Sequence, residues 1–159
     1  MLLYGAGLRV SEVVKLEIGS MQLETGVLRV AGKGKKERVV PIGPPVIETL
    51  ERYLRGERKP RVGRGPNDLL FPGRNLKKPL TRQAVFEMLR RSAQKAGLVQ
   101  SVSPHKLRHG FATDLVQNGA DLRSVQVMLG HADLRTTEVY THVDEEHLRR
   151  TYDKTHPRA

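Results

Sequence analysis

The chain has no cysteine, no tryptophan and only three phenylalanines among its 159 residues. Without cysteine there is no disulfide framework, and a reducing cytosol is the natural setting. So few aromatic rings leave no platform for stacking the bases of a single strand. No run of about 18 apolar residues exists to span a bilayer. Met1 leads straight into "LLYGAGLRVSE", with no charged leader or cleavage site, so no signal peptide is expected and the expected location is the cytoplasm.

What is abundant is positive charge. Lysine and arginine number 28 against 17 acidic residues, a formal net charge of +11 and a pI near 10.3. Such a surplus favours a polyanionic partner, because each phosphate neutralised releases condensed counterions. A membrane surface is the competing partner, yet no basic amphipathic helix with an aromatic face is visible. Double-stranded nucleic acid is the partner expected from charge.

The length suits one domain with a real core. Leu2–Tyr4 reads as the last turn of a helix stopped by Gly5 and Gly7, and residues 9–17 as a short second helix. "GVLRVAGKGKKERVVPIG" alternates apolar and polar residues on both sides of a Gly-Lys tip, the pattern of a β-hairpin. Pro44–Arg55 is amphipathic, and "GERKPRVGRGPND" reads as a loop. Thr81 caps a helix carrying Val85, Met88 and Leu89 that Gly97 ends. Further helices are expected from Pro104, from Asp121 to Gly130, and near 134–141 and 144–154. The fold class is mainly α with one small β-hairpin.

"SPHKLRHGFATDL" places two histidines, an arginine and a lysine beside Leu107, Phe111 and Leu115, which read as core residues. That stretch belongs to a scattered set: Arg9, Lys33, His105, Arg108, His131 and Tyr140. Each alone has an ordinary explanation. Arg9 suits a solvated helix, Lys33 a hairpin tip, His105 and His131 helix ends, Arg108 an ion pair with Asp114 or another acid, and Tyr140 a packed ring. Together they form a kit for attacking a phosphodiester. Arg9 and Arg108 can hold the charge that builds on the non-bridging oxygens, since guanidinium matches phosphate geometry and is always cationic. Tyr140 is a weak nucleophile at its reference pKa of about 10, and His105 is the candidate to accept its proton. Lys33 can protonate the departing sugar oxygen, and His131 can donate to the phosphate. The arginines then do what a metal does elsewhere.

"GAGLRVSEVVKL", "AGKGKKERVVP", "SPHKLRHGFAT", "MLGHADLRTTEVYTHV" and the terminal "HPRA" resemble, in order, the tyrosine recombinase (phage integrase) family, with the likeness greatest to its bacterial XerC/XerD branch. The resemblance implies a catalytic domain over residues 1–159 that lacks the family's separate amino-terminal helical domain and the first helices of the catalytic one. Exposed apolar surface near Leu2, Leu3 and Leu8 is therefore expected. It also implies the roles. Tyr140 matches the nucleophile that forms a 3′-phosphotyrosyl bond and frees a 5′-hydroxyl. Arg9 and Arg108 match the phosphate-binding arginines, His105 and His131 the two histidines, and Lys33 the hairpin lysine. Glu12 matches a supporting carboxylate, and a helical turn places it beside Arg9. No cofactor or metal is implied. The implied partners are double-stranded DNA, a second, XerC-like protomer within a tetramer on that DNA, and a DNA translocase as activator in chromosome dimer resolution.

Neighbouring residues are set aside on chemistry. His105 and His109 form an H-x-x-x-H pair, but Lys106 stands where a zinc protease needs Glu, and Arg108 repels a cation. "GKGKKE" lacks the spacing of a nucleotide-binding loop. Lys35 and Lys36 rival Lys33 but suit backbone phosphates; Tyr152 is a weak rival to Tyr140. His142, His147 and His156 read as surface or capping residues. Residues 144–154, with Leu148 as an apolar contact, suit either a neighbouring protomer or the chain's own domain. Other readings are a mobile-element integrase, a type IB-like topoisomerase, or a non-catalytic DNA-binding remnant of the same fold.

Overall fold

The computed structural model describes residues 1–32, 37–62, 67–130 and 142–159. Two short helices open the chain, α1 (Leu2–Gly5) and α2 (Val10–Val13). Gly7 turns the chain between them at φ +55°, a conformation that other residues resist. The expected second helix is thus shorter than residues 9–17. A 3-10 turn at Ile18–Ser20 leads into an antiparallel sheet of β1 (Met21–Gln22), β2 (Val27–Ala31) and β3 (Glu37–Pro41), in that order. The expected hairpin is β2 and β3, in register from Val27 opposite Pro41 to Ala31 opposite Glu37. The two residues of β1 are too few to carry a period in sequence.

Pro44 starts α3 (Pro44–Tyr53), whose Val46 and Leu50 are buried. The chain does not then enter a loop at Gly56. It continues through a π-helical turn at Leu54–Arg58 into α4 (Lys59–Val62). Arg58 explains the difference: its buried guanidinium donates to the carbonyls of Asn67 (2.6 Å) and Leu69 (2.8 Å), pinning the helical extension to the next segment.

The remaining helices follow their caps. Thr81 Oγ1 accepts from the Ala84 amide at the start of α5 (Arg82–Lys95), and Gly97 (φ +69°) follows its end. Ser103 Oγ accepts from the Lys106 amide at the start of α6 (Pro104–Gln117). Asp121 accepts from Ser124 at the start of α7 (Leu122–Leu129), which Gly130 ends in the left-handed region. The last helix, α8, spans His142–Thr155. The helix expected near 134–141 lies outside the described residues.

Two apolar clusters form the core. The first joins α1, α2, the sheet and α3 through Leu8, Leu28, Val40, Ile42 and Val46. The second joins α6, α7 and α8 through Phe111, Leu115, Met128, Leu148 and Tyr152. Leu2 and Leu3 are 6% exposed and Leu8 is fully buried, because α1 packs on α6 and α2; the apolar surface expected near them is an open groove that Leu2 and Leu3 line with Tyr53, Phe71 and the exposed Met1 and Met88. Leu148 is also buried within its own chain: α8 folds back on β3, α6 and α7. Among the described residues no helix is long and apolar enough to cross a membrane.

Candidate active site

Arg9 is the N-cap of α2 and Glu12 its third residue, so one turn brings the two together. Glu12 Oε2 accepts from the Arg9 amide (2.8 Å) and Oε1 from the Arg9 guanidinium (3.0 Å). The carboxylate satisfies an orphan amide of the helix start and fixes the arginine in one step. The Arg9 side chain stays 44% exposed, whereas that of Glu12 is 7% exposed.

A third side chain, absent from the sequence-derived set, completes the carboxylate's shell. Arg38 of β3 approaches Glu12 end-on, Nη1 donating to Oε1 and Nη2 to Oε2, both at 2.9 Å. Its Nε donates to the Met128 carbonyl (2.7 Å). Burial alone would push the Glu12 carboxyl up; the Arg38 hydrogen bonds and the Arg9 amide outweigh it and hold the group below its ordinary value. The sequence did carry a signal. Arg38 stands opposite Val30, beside Val39 and Val40, a charge where the strand's pattern calls for an apolar residue.

Arg108 arrives from α6. It donates to the Gly7 carbonyl and to the Leu129 carbonyl, both at 2.6 Å, and stands 3.8 Å from Glu12 Oε2. Of the two pairings open to it, Arg108 takes the other acid, Glu12, and not Asp114, whose carboxylate accepts from the Tyr4 hydroxyl (2.5 Å). Burial, then the nearby Arg9, lowers the Arg108 pKa to about 10, with Glu12 opposing and Arg38 adding to the fall. The group remains cationic at neutral pH.

These three arginines share a second target. Arg38, Arg108 and Arg9 donate to the successive carbonyls of Met128, Leu129 and Gly130, the last at 3.2 Å. A helix end leaves such carbonyls without intrahelical partners and carries partial negative charge, so guanidinium groups suit it. Gly130 suits the position on two counts: φ is +66°, where other residues are strained, and a Cβ there would stand a tight 3.0 Å from the Arg38 side chain. The result is one carboxylate among three cations, a locally positive centre suited to a phosphate.

Of the sequence-derived set, Arg9, Glu12 and Arg108 thus converge. His105 lies on the exposed first turn of α6, three residues before Arg108 and therefore on the same side of the helix. Lys33, His131 and Tyr140 lie outside the described residues, as do Lys35 and Lys36. The rival Tyr152 is fully buried, donating to the Gly5 carbonyl (2.8 Å) and accepting from the Gly43 amide (3.1 Å). Burial pushes its hydroxyl up to about 12. His156 is not a surface residue: it is 5% exposed and stacks on Tyr152 at 4.6 Å.

A sequence model of the phage integrase family matches residues 1–147, taking in every residue of this site. The chain belongs to the phage integrase family. Among its relatives in that family, the tyrosine recombinase XerD of Staphylococcus saprophyticus is 47% identical over 158 residues, 99% of this chain and 53% of that protein. The chain therefore spans about half the length of the curated relatives it matches. Phage integrase folds recur among solved structures. The XerA recombinase superposes with a TM-score of 0.73 at 35% identity, covering 99% of this chain and 57% of that one. The XerH site-specific recombinase, solved with its difH substrate in a pre-cleavage complex, gives 0.69 at 31% identity, over 96% and 40% of the two chains. The family resemblance and the mainly helical fold read from the sequence both hold.

Proposed function

We propose that this chain is the catalytic domain of a site-specific DNA recombinase that cuts and rejoins duplex DNA through a 3′-phosphotyrosyl intermediate. The observation that carries the reading is the convergence of Arg9 and Arg108, from α2 and α6, on either side of Glu12. Cationic groups held in place before the phosphate arrives stabilise the developing charge without reorganising during reaction. The Tyr140 oxygen attacks phosphorus while His105 takes its proton. The bond from phosphorus to the sugar's 5′ oxygen breaks, and Lys33 protonates that oxygen. His131 donates to a non-bridging oxygen, and Glu12 orients Arg9. The phosphotyrosyl link conserves the bond, so a new 5′-hydroxyl can attack it and rejoin the strand.

Relatives named tyrosine recombinase XerD and the XerH site-specific recombinase, solved with its difH substrate, support a recombination site as substrate, and the net charge of +11 favours duplex DNA; chromosome dimer resolution in the cytoplasm is the role we propose. In that role the domain works in a tetramer with XerC-like protomers, with a DNA translocase as activator.

The test is incubation with a nicked suicide duplex carrying a recombination site, followed by a denaturing gel. A covalent protein–DNA band that disappears in Tyr140→Phe is the expected result. Duplex binding with no band in the unmutated chain would make it a binding remnant of the fold; a band that survives the substitution would place the nucleophile elsewhere.

A further inference from the structure

Arg38 is the residue of the cluster that the recombinase chemistry above leaves without a task. Its side chain is 7% exposed, and it spends three N–H groups: two on Glu12 and one on the Met128 carbonyl. An ionised carboxylate has about four acceptor sites. On Glu12 all are filled, by the amide and guanidinium of Arg9 and by both terminal nitrogens of Arg38. Arg108, at 3.8 Å, is attracted by the charge but makes no hydrogen bond to it. Its bonds within the described residues go to Gly7 and Leu129 instead.

We infer that Arg38 is a positioning residue: by occupying half of the Glu12 acceptor sites it keeps Arg108 off that carboxylate and committed to the phosphate. The inference rests on the recombinase reading for its catalytic consequence, though not for its geometry. With Arg38 gone, Glu12 is a buried carboxylate with two vacant acceptor sites, which is costly. The nearest cation able to fill them is Arg108. Forming that pair draws its guanidinium from the Gly7 carbonyl and neutralises the charge meant for phosphate. The same change frees the Met128 carbonyl, one of the three that hold the segment leading into His131. A displacement of about 1 Å in such a site costs on the order of 100-fold in rate.

The test compares Arg38→Met and Arg38→Lys with the unmutated chain. Lysine keeps the charge and the fold but cannot span both Glu12 oxygens and the carbonyl at once, so it serves if the methionine variant does not fold. Two readings are taken. In the free protein, the Arg108 guanidinium ¹⁵N–¹H signals, assigned by their loss in Arg108→Lys, are expected to shift and to show slowed rotation as the group pairs with Glu12. Unchanged signals overturn the inference, whatever the protein does to DNA. In single-turnover cleavage of the suicide duplex, both variants are expected to form the covalent adduct about 100-fold more slowly with duplex affinity retained. The slower cleavage is expected to accompany the guanidinium shift in both variants; a merely structural Arg38 slows cleavage with the Arg108 signals unchanged, and that result overturns the inference. Failure of the unmutated chain to form any adduct counts against the recombinase reading alone, because the guanidinium signals still decide the role of Arg38.

Discussion

Two clusters tie the beginning of this chain to its end, and they do so by opposite means. Around Glu12, three guanidinium groups bridge α2, β3 and α6 and reach the end of α7; one such bond, Arg9 to Gly130, joins residues 121 apart. Around His156, the rings of Tyr4, Phe111 and Tyr152 lie within 6 Å of the imidazole, and Tyr152 reaches Gly5 across 147 residues. The charged cluster is directional, with each N–H aimed at a particular oxygen, and it leaves excess positive charge at the surface through Arg9. The ring cluster closes on itself, and its hydroxyls are spent inside it. The first cluster carries the proposed binding chemistry and, through the buried Arg38–Glu12 pair, part of the scaffold; the second is scaffold alone. Substitutions in the ring cluster should therefore change stability and leave cleavage untouched.

The largest expected effect is on stability within the charged cluster. Glu12→Ala leaves Arg38 buried without its carboxylate and should cost about 3–5 kcal/mol, read by urea unfolding. The same pair makes stability acid-sensitive. Glu12 is held below its ordinary 4.5, so its contribution is complete above that value and is lost as pH falls beneath it. Next comes Arg108→Ala, which should slow covalent cleavage by about 10²–10³-fold. This variant is expected to lose far more activity than fold.

Substitutions in the ring cluster should have smaller effects, none of them on cleavage. Tyr152→Phe removes the hydroxyl that serves Gly5 and Gly43, leaving a buried amide unpaired, and should cost about 1–3 kcal/mol of stability. The smallest effect lies at His156, where burial holds the imidazole below its ordinary 6.5. As pH falls past 6.5 the unfolded chain takes up a proton before the folded one does, so stability declines until the folded pKa is passed. His156→Phe should flatten that segment of the stability–pH curve. An unchanged slope would assign it to another group.

The same contrast governs what could be read from the sequence. Arg9 and Glu12 were legible because they share a helical turn, and Arg108 because an amphipathic helix fixed its side. The hairpin, the helix cap at Thr81 and the helix starts at Pro104 and Asp121 were legible from local chemistry. Arg38 left only a break in the strand's periodicity, which marks the position but not its role; the reason for the charge lies in Glu12, 26 residues away. The burial of Leu2, Leu3 and His156 was hidden for a related reason: their partners come from the far end of the chain or from helices remote in sequence. Arg58 made a helix of a Gly/Pro-rich stretch by bonding to carbonyls that follow it, again a contact no local pattern records. Lys33, His131 and Tyr140 rest on motif spacing and on family membership.

The most direct measurement is single-turnover formation of the covalent adduct on the suicide duplex by Arg108→Ala and Tyr152→Phe, side by side with the unmutated chain. The account predicts that the arginine variant loses the adduct while still binding duplex, and that the tyrosine variant forms it at the unmutated rate. Retention of the adduct by Arg108→Ala, or its loss in a folded Tyr152→Phe, would contradict the assignment of the chemistry to the cluster around Glu12.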